Sequence, residues 1–207
     1  MEPSLDAMVR ELWDREAIRR VLYSYCRAID RGDLQLLKSV YHPDGVDAHG
    51  SFVGNAHEFA EFILQRLPAH TKYSQHNVLN VIIDLDGDRA ISEATNVGIH
   101  RVGGGWDFVV EYFGMAYAER ARESGQVDVD HDFIIGGRYL DVFEKRDGVW
   151  RILRRQITGE WNVCRPTREV WEGGRANYHL PGAADRSDPL YALSFDPPDV
   201  PARMSTQ

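Results

Sequence analysis

Apolar residues in the first part of the chain recur at helical spacing: Leu12, Ile18, Val21, Leu22, Tyr25, Cys26 and Ile29. Ser4 or Asp6 is placed to cap this helix, and Asp30-Arg31-Gly32 ends it, with Gly32 as the C-terminal stop. Asp33 opens a second short helix, Leu34 to Val40. His42-Pro43-Asp44-Gly45 reads as a turn, and Val46 to Phe52 as a short strand broken at Gly50. Asn55 caps a third helix, His57 to Arg66, expected to stop before Pro68. The period then changes. Tyr73 to Leu85 reads as a strand, Asp86-Gly87-Asp88 as a hairpin turn, and Ala90 to Val102 as the returning strand. Phe108 to Tyr117 is expected to be a further strand, and the acidic stretch from Glu119 to Asp130 a loop. Phe133 to Glu144 and Val149 to Trp161 complete the strands, joined by a turn at Arg146-Asp147-Gly148.

Helices first and an antiparallel meander after them predict an α+β fold. A strongly curved antiparallel sheet wrapped around the N-terminal helices makes a cone, whose floor is a natural apolar pocket. Residues 1–163 form this domain. Residues 164–207, rich in Pro, Gly, Asp and Arg, are expected to be an extension across the pocket mouth or a subunit interface, with a disordered end.

Length and composition fit this picture. The 207 residues suit one domain with an extension, and 43% hydrophobic residues, 11% aromatic, supply both a core and a pocket lining. A net charge of −8 without a basic block argues against nucleic acid as a partner. No apolar run is long enough to span a membrane, and the acidic start Met-Glu-Pro-Ser-Leu-Asp does not read as a signal peptide, so the expectation is a cytoplasmic protein. Cys26 and Cys164 have no metal-ligand spacing, and Cys26 falls in a core pattern.

Two polar residues stand out from their apolar surroundings: Asp30, closing the first helix, and His76, inside an apolar strand. Brought together, a carboxylate and an imidazole make a proton-transfer device. The carboxylate fixes the tautomer and stabilises the imidazolium. Alternation puts His76, Val78 and Asn80 on one strand face, and Arg155 with Leu153, Ile157 and Trp161 on another. An inward Arg155 would hold an anion or a leaving oxygen. Arg138 competes for that role, but with Asp141 it looks more like a structural pair. Tyr25, Tyr41, His49, Tyr112 and Trp161 are candidates to line a pocket. The histidines, including His42, His70, His100 and His131, lack the spacings of a metal site, so none is expected. Gly103-Gly104-Gly105 lacks the residues of a phosphate loop.

Taken in order, these pieces resemble the SnoaL-like branch of the nuclear-transport-factor-2-like superfamily over residues 8–163. The resemblance rests on Tyr25-x4-Asp30, His76-x3-Asn80, Gly87-Asp88-Arg89-Ala90, Gly137-Arg138-Tyr139-Leu140-Asp141 and Asp147-Gly148-Val149-Trp150-Arg151-Ile152, ending in Arg155. It is similar to the scytalone dehydratases, the bile acid 7α-dehydratases and the hexachlorocyclohexane dehydrochlorinases, which use a His–Asp pair without a cofactor. It is also similar to lyases of lignin-derived diarylpropanoids that expel formaldehyde. The resemblance implies His76 as base, Asp30 as its partner, Tyr25 as hydrogen-bond donor and Arg155 as anion stabiliser. His49 stands where the scytalone enzymes carry a tyrosine on an early strand, and His100 is the candidate for their second histidine. His49, Asn80 and Trp161 are the expected substrate contacts.

The expected activity is a cofactor-independent lyase that eliminates water, acid or formaldehyde from a hydrophobic hydroxylated, aromatic or cyclic molecule. An isomerase or polyketide-cyclase-like enzyme, or a non-catalytic binding or small-subunit module, is the alternative. A homo-oligomer, trimer or dimer, is expected because the open sheet face leaves apolar surface to cover.

Overall fold

The computed structural model describes residues 3–170, 173 and 180–195. The first helix, α1 (Leu5–Asp30), is capped by Ser4, whose hydroxyl accepts from the Ala7 N–H at 3.3 Å. Its inner face buries Ile18, Leu22, Tyr25, Cys26 and Ile29, as the spacing predicts. The chain turns at Gly32, at φ 61°, into α2 (Leu34–Ser39), capped by Asp33.

The predicted turn at His42–Gly45 is absorbed into β1 (Tyr41–His49), which pairs with the last strand in a shifted register between Tyr41 and Val46. Gly50, at φ 62°, closes a hairpin to β2 (Phe52–Asn55). Asn55 caps α3 (Ala56–His70) through the N–H groups of His57 and Glu58. This helix runs through Pro68 instead of stopping before it. A proline near a helix end removes one backbone hydrogen bond but leaves little helix beyond it to disturb.

The long strands are β3 (Thr71–Asp86), β4 (Arg89–Val102), β5 (His131–Arg146) and β6 (Val149–Pro166). The sheet has six strands in the order β2-β1-β6-β5-β4-β3, antiparallel except where β1 lies parallel to β6. Helix α1 packs along β3 and β6, and α3 along β1 and β2, on the concave side. Phe59, Phe143, Ile18, Leu22 and Ile152 are fully buried there.

One predicted strand is a helix pair. Residues 108–117 belong to α4 (Trp106–Phe113) and α5 (Met115–Glu123), and the predicted loop from Glu119 starts inside α5. Phe108, Val109, Tyr112 and Phe113 recur at helical spacing, and Gly105 and Gly114, both at positive φ, bracket the segment. A short apolar run fits either period, and the glycines decide it.

Three β-bulges set which side chains face inward. In β3, Leu79 and Asn80 together oppose a single residue of β4, between the pairs Val78–Asn96 and Val81–Ala94. In β6, Leu153 is extra between Ile152 and Arg154, and Glu160 is extra between Gly159 and Trp161.

Strand β6 continues to Pro166, past the boundary read at residue 163. Further on, residues 183–191 dock on the turn between α1 and α2. Buried Asp188 accepts from the N–H groups of Ala183 and Leu190 and pairs with Arg31 at 3.2 Å, while Arg186 reaches Asp33 at 3.1 Å. The end expected to be disordered, residues 196–207, lies outside the described residues. Among the described residues no helix is long and apolar enough to cross a membrane.

Candidate active site

Asp30 is the last residue of α1, 8% exposed, and it faces β3. Its carboxylate accepts from the Ser74 hydroxyl at 3.2 Å, the His76 backbone N–H at 2.8 Å and the His76 ring Nδ1 at 2.7 Å. A carboxylate only accepts, so Nδ1 carries the proton and the other ring nitrogen, Nε2, remains for a ligand. Ser74 and His76 lie two apart on β3 and so share a face.

The His76 ring opens into a cavity of about 300 Å³. Ile29, Ile63, Leu67, Phe133, Ile135 and Ile157 make its apolar walls, and His49, Asn96, His100, Tyr112, Tyr139 and Thr158 its polar points. Two larger depressions, of about 510 and 400 Å³, lie on the outer side of the sheet along Ile91 and Val142 and touch neither Asp30 nor His76. Size alone does not locate the site; the convergence of polar groups in an enclosed apolar wall does.

His100 stands at right angles to His76, with ring centroids 5.3 Å apart, and leans on Phe133. Burial first, then the charges of His76 and His49, push its pKa down to about 3, so its imidazole is neutral. Its Nδ1 has no protein partner. His49 stacks on Phe59 at 4.7 Å and has its Nδ1 3.5 Å from Oδ1 of Asp47. That is ion-pair distance but not a formed hydrogen bond, and both atoms lack another partner.

Behind the wall lies a second polar layer. Arg155, on β6, has Asp47 beside it on β1 and Asp141 beside it on β5. It grips Asp141 with two hydrogen bonds, of 2.8 and 2.7 Å, and its guanidinium lies 4.0 Å from the Tyr25 ring and 4.2 Å from the Tyr139 ring. Burial works against this charge, but Asp141 and then Tyr41 raise the Arg155 pKa above the ordinary guanidinium value. The Tyr41 hydroxyl donates to Oδ2 of Asp47 at 2.5 Å. Burial drives the hydroxyl pKa values of Tyr25, Tyr41 and Tyr139 upward, so all three are neutral phenols.

His76 and His49 thus line one cavity, together with His100 and Tyr112, and Asp30 stands behind the His76 ring, outside the lining. Tyr25 and Arg155 are fully buried and stand behind Tyr139, outside the cavity lining. Asn80 is exposed, because the β3 bulge breaks the alternation that would have put it beside His76. Trp161 is half exposed. Its ring lies over Gly136, where an added Cβ would sit 2.2 Å from it. The bulge at Glu160 turns it away from Ile157, and the bulge at Leu153 likewise separates Leu153 from Arg155. The Arg138–Asp141 pair does not form: Arg138 pairs with Glu160 and Glu93, and Asp141 belongs to Arg155.

Sequence reasoning misses Ser74, Asn96, Tyr139, Thr158 and above all Asp47. For Asp47 a signal exists, since Asp47-x-His49 on a strand shares one face. For Asn96 the signal is a polar residue within an inward series, Ala90, Ser92, Ala94, Asn96. Among the described residues no group of three or more His, Cys, Asp and Glu is placed to hold a metal ion.

N-terminal helices packed in a six-stranded, mostly antiparallel sheet make the cone of the NTF2-like superfamily. Within it, the chain belongs to the SnoaL-like domain family, whose model matches residues 10–156. Solved structures share the fold at low identity. One is a putative scytalone dehydratase from Novosphingobium aromaticivorans, with 19% identity and a TM-score of 0.58, covering 76% of this chain and 91% of that one. Another is a type 2 hexachlorocyclohexane dehydrochlorinase (LinA), with 15% identity and a TM-score of 0.62, covering 80% and 98%. A third is a protein of unknown function from Mycobacterium tuberculosis, with 17% identity and a TM-score of 0.53, covering 72% and 77%. No curated protein matches the chain significantly.

Proposed function

We propose that this chain is a cofactor-independent lyase. It takes a proton from carbon as water or an acid departs, or from a primary hydroxyl as formaldehyde departs and the electron pair of the broken carbon–carbon bond forms the new double bond and expels a second oxygen. Its substrate is a small hydrophobic, hydroxylated molecule with an aromatic or cyclic frame. The observation that carries this reading is the 2.7 Å contact between Asp30 Oδ1 and His76 Nδ1 at an apolar cavity. His76 Nε2 takes the proton, and Asp30 holds the ring and stabilises the imidazolium. The apolar wall excludes water, which strengthens both interactions. His100, kept neutral, and the Tyr139 phenol offer hydrogen bonds to substrate oxygen. Arg155 and Tyr25 act as positioning residues that brace Tyr139 from behind, in place of the direct contacts read from the sequence.

Two relatives by fold are named for eliminations, a dehydratase and a dehydrochlorinase, which supports the same class of chemistry here. Exposed Ile82 and Ile91 on the outer sheet face support a homo-oligomer, dimer or trimer.

The test is turnover of hydroxylated aromatic, polyketide-like and steroid-like compounds by wild type, His76→Gln and Asp30→Asn, read by mass spectrometry. Wild type is expected to release water, acid or formaldehyde. His76→Gln should be slower by about 10²–10⁴-fold, with unchanged thermal unfolding. A product of unchanged mass would indicate an isomerase. Turnover undiminished in both variants would contradict the proposal.

A further inference from the structure

An elimination has two halves, and the Asp30–His76 pair serves only the first. Something must also receive the leaving group. The structure holds a second acid–histidine pair at the same cavity. Asp47 and His49 lie two apart on β1, so both side chains point inward, and His49 lines the cavity. His49 Nδ1 faces Asp47, which leaves Nε2 as the nitrogen available to a ligand. His49, His76 and His100 line the same cavity, so the two pairs flank one space.

The two pairs are built differently. Asp30 is satisfied by a hydroxyl, a backbone N–H and the His76 ring. Asp47 is fully buried and receives one hydroxyl, from Tyr41, on Oδ2. Its Oδ1 has no hydrogen-bond donor, and neither has His49 Nδ1 an acceptor, although they stand 3.5 Å apart. The buried charges of this layer are Asp47 and Asp141 against Arg155 alone; Arg155 gives two hydrogen bonds to Asp141, and its Nη1 has no partner and does not reach Asp47. An imidazolium at His49 balances the layer and fills both vacant bonding positions with a small closing movement.

We propose that His49, held by Asp47, is the general acid that protonates the leaving oxygen, and that the substrate is therefore an alcohol with its hydroxyl β to the activated carbon, rather than a halide. This rests on the lyase reading above. In the step, the carbon–hydrogen bond breaks toward His76 Nε2 and its electron pair forms the new carbon–carbon double bond. The carbon–oxygen bond breaks, and the departing oxygen takes the proton from His49 Nε2 and leaves as water. His76 ends protonated and His49 ends neutral, and exchange with solvent resets both. A chloride leaves as a stable anion and needs no such proton. Hydroxide, the strongly basic conjugate base of water, does.

The experiment compares a cyclic aryl ketone bearing a β-hydroxyl with its β-chloro counterpart, using wild type, His49→Gln, Asp47→Asn and His76→Gln, with folding checked by thermal unfolding. In His49→Gln the ratio of hydroxyl to chloride elimination rates should fall by about 10²-fold or more, and Asp47→Asn should move it the same way. In His76→Gln both rates should fall and the ratio hold. A ratio unchanged in His49→Gln, or a wild type that eliminates chloride but not water, overturns the acid role and leaves the lyase reading standing. Elimination of neither by wild type overturns both. Should Asp47→Asn fail to fold, His49→Gln alone decides.

Discussion

Asp30 occupies a position that a helix penalises. A carboxylate at a helix C-terminus meets the negative end of the dipole at a cost of about 0.3–1 kcal/mol. Three donors from one strand, Ser74, the His76 N–H and the His76 ring, offset that cost, and they aim the imidazole as they do so. A polar residue held against local preference is the mark of a site, and here it was readable from sequence as an acid that no cap required. His100 makes a different use of burial. An unfolded chain protonates this ring near pH 6.5, the folded chain only near pH 3. Between those values the unfolded state binds more protons, so stability falls as pH drops through the window and is unaffected above it. The full loss, reached near pH 3, is on the order of 4–5 kcal/mol. Urea unfolding at pH 7 and pH 4 should therefore show a smaller acid loss in His100→Phe than in wild type. Equal losses would contradict the assignment.

At the scale of elements, the bulges decide what sequence could not. Caps at Ser4, Asp33 and Asn55 and the alternation of β4 were legible because they depend on nearest neighbours along the chain. A bulge depends on how a strand pairs, and each extra residue switches the face of every residue after it. So His76 was placed inward correctly, before the bulge in β3, while Asn80, inside it, was not. Arg155 was read as inward and beside Ile157, as it is, but bulges part it from Leu153 and Trp161. Its partner is Asp141, directly across β5–β6, and not an anion in the cavity. The helix pair at Trp106–Glu123 was lost because a short apolar run has no decisive period. The placement of Asn80 gives a direct check. Asn80→Ala should change stability by no more than about 0.5 kcal/mol and turnover by no more than about twofold, as expected of an exposed residue. A large loss of turnover with intact folding would put Asn80 back at the substrate.

For the whole molecule, curvature turns these local choices into a site. The sheet wraps α1 and α3 so that the first half of β3, the last part of β4 and the end of β1 meet at one cavity, with the end of α1 placing Asp30 behind His76, although Asp30, His49, His76 and His100 are far apart in sequence. The cone was legible from the order of helices and strands. The pairing of β1 with β6, which brings Asp47 beside Arg155, was not, because a parallel contact between distant strands leaves no short-range trace. The C-terminal segment completes the frame: Asp188 and Arg186 clasp Arg31 and Asp33, the two charged residues that follow Asp30 around the turn. The central claim, that Asp30 and His76 together take a proton from carbon, is tested most directly without any leaving group. A cyclic aryl ketone with no substituent at its β carbon, incubated in D2O, reports proton removal alone through deuterium uptake beside the carbonyl. Wild type should exchange well above the buffer rate, and both His76→Gln and Asp30→Asn should fall back toward it. Exchange that persists at the wild-type rate in both variants would contradict the claim.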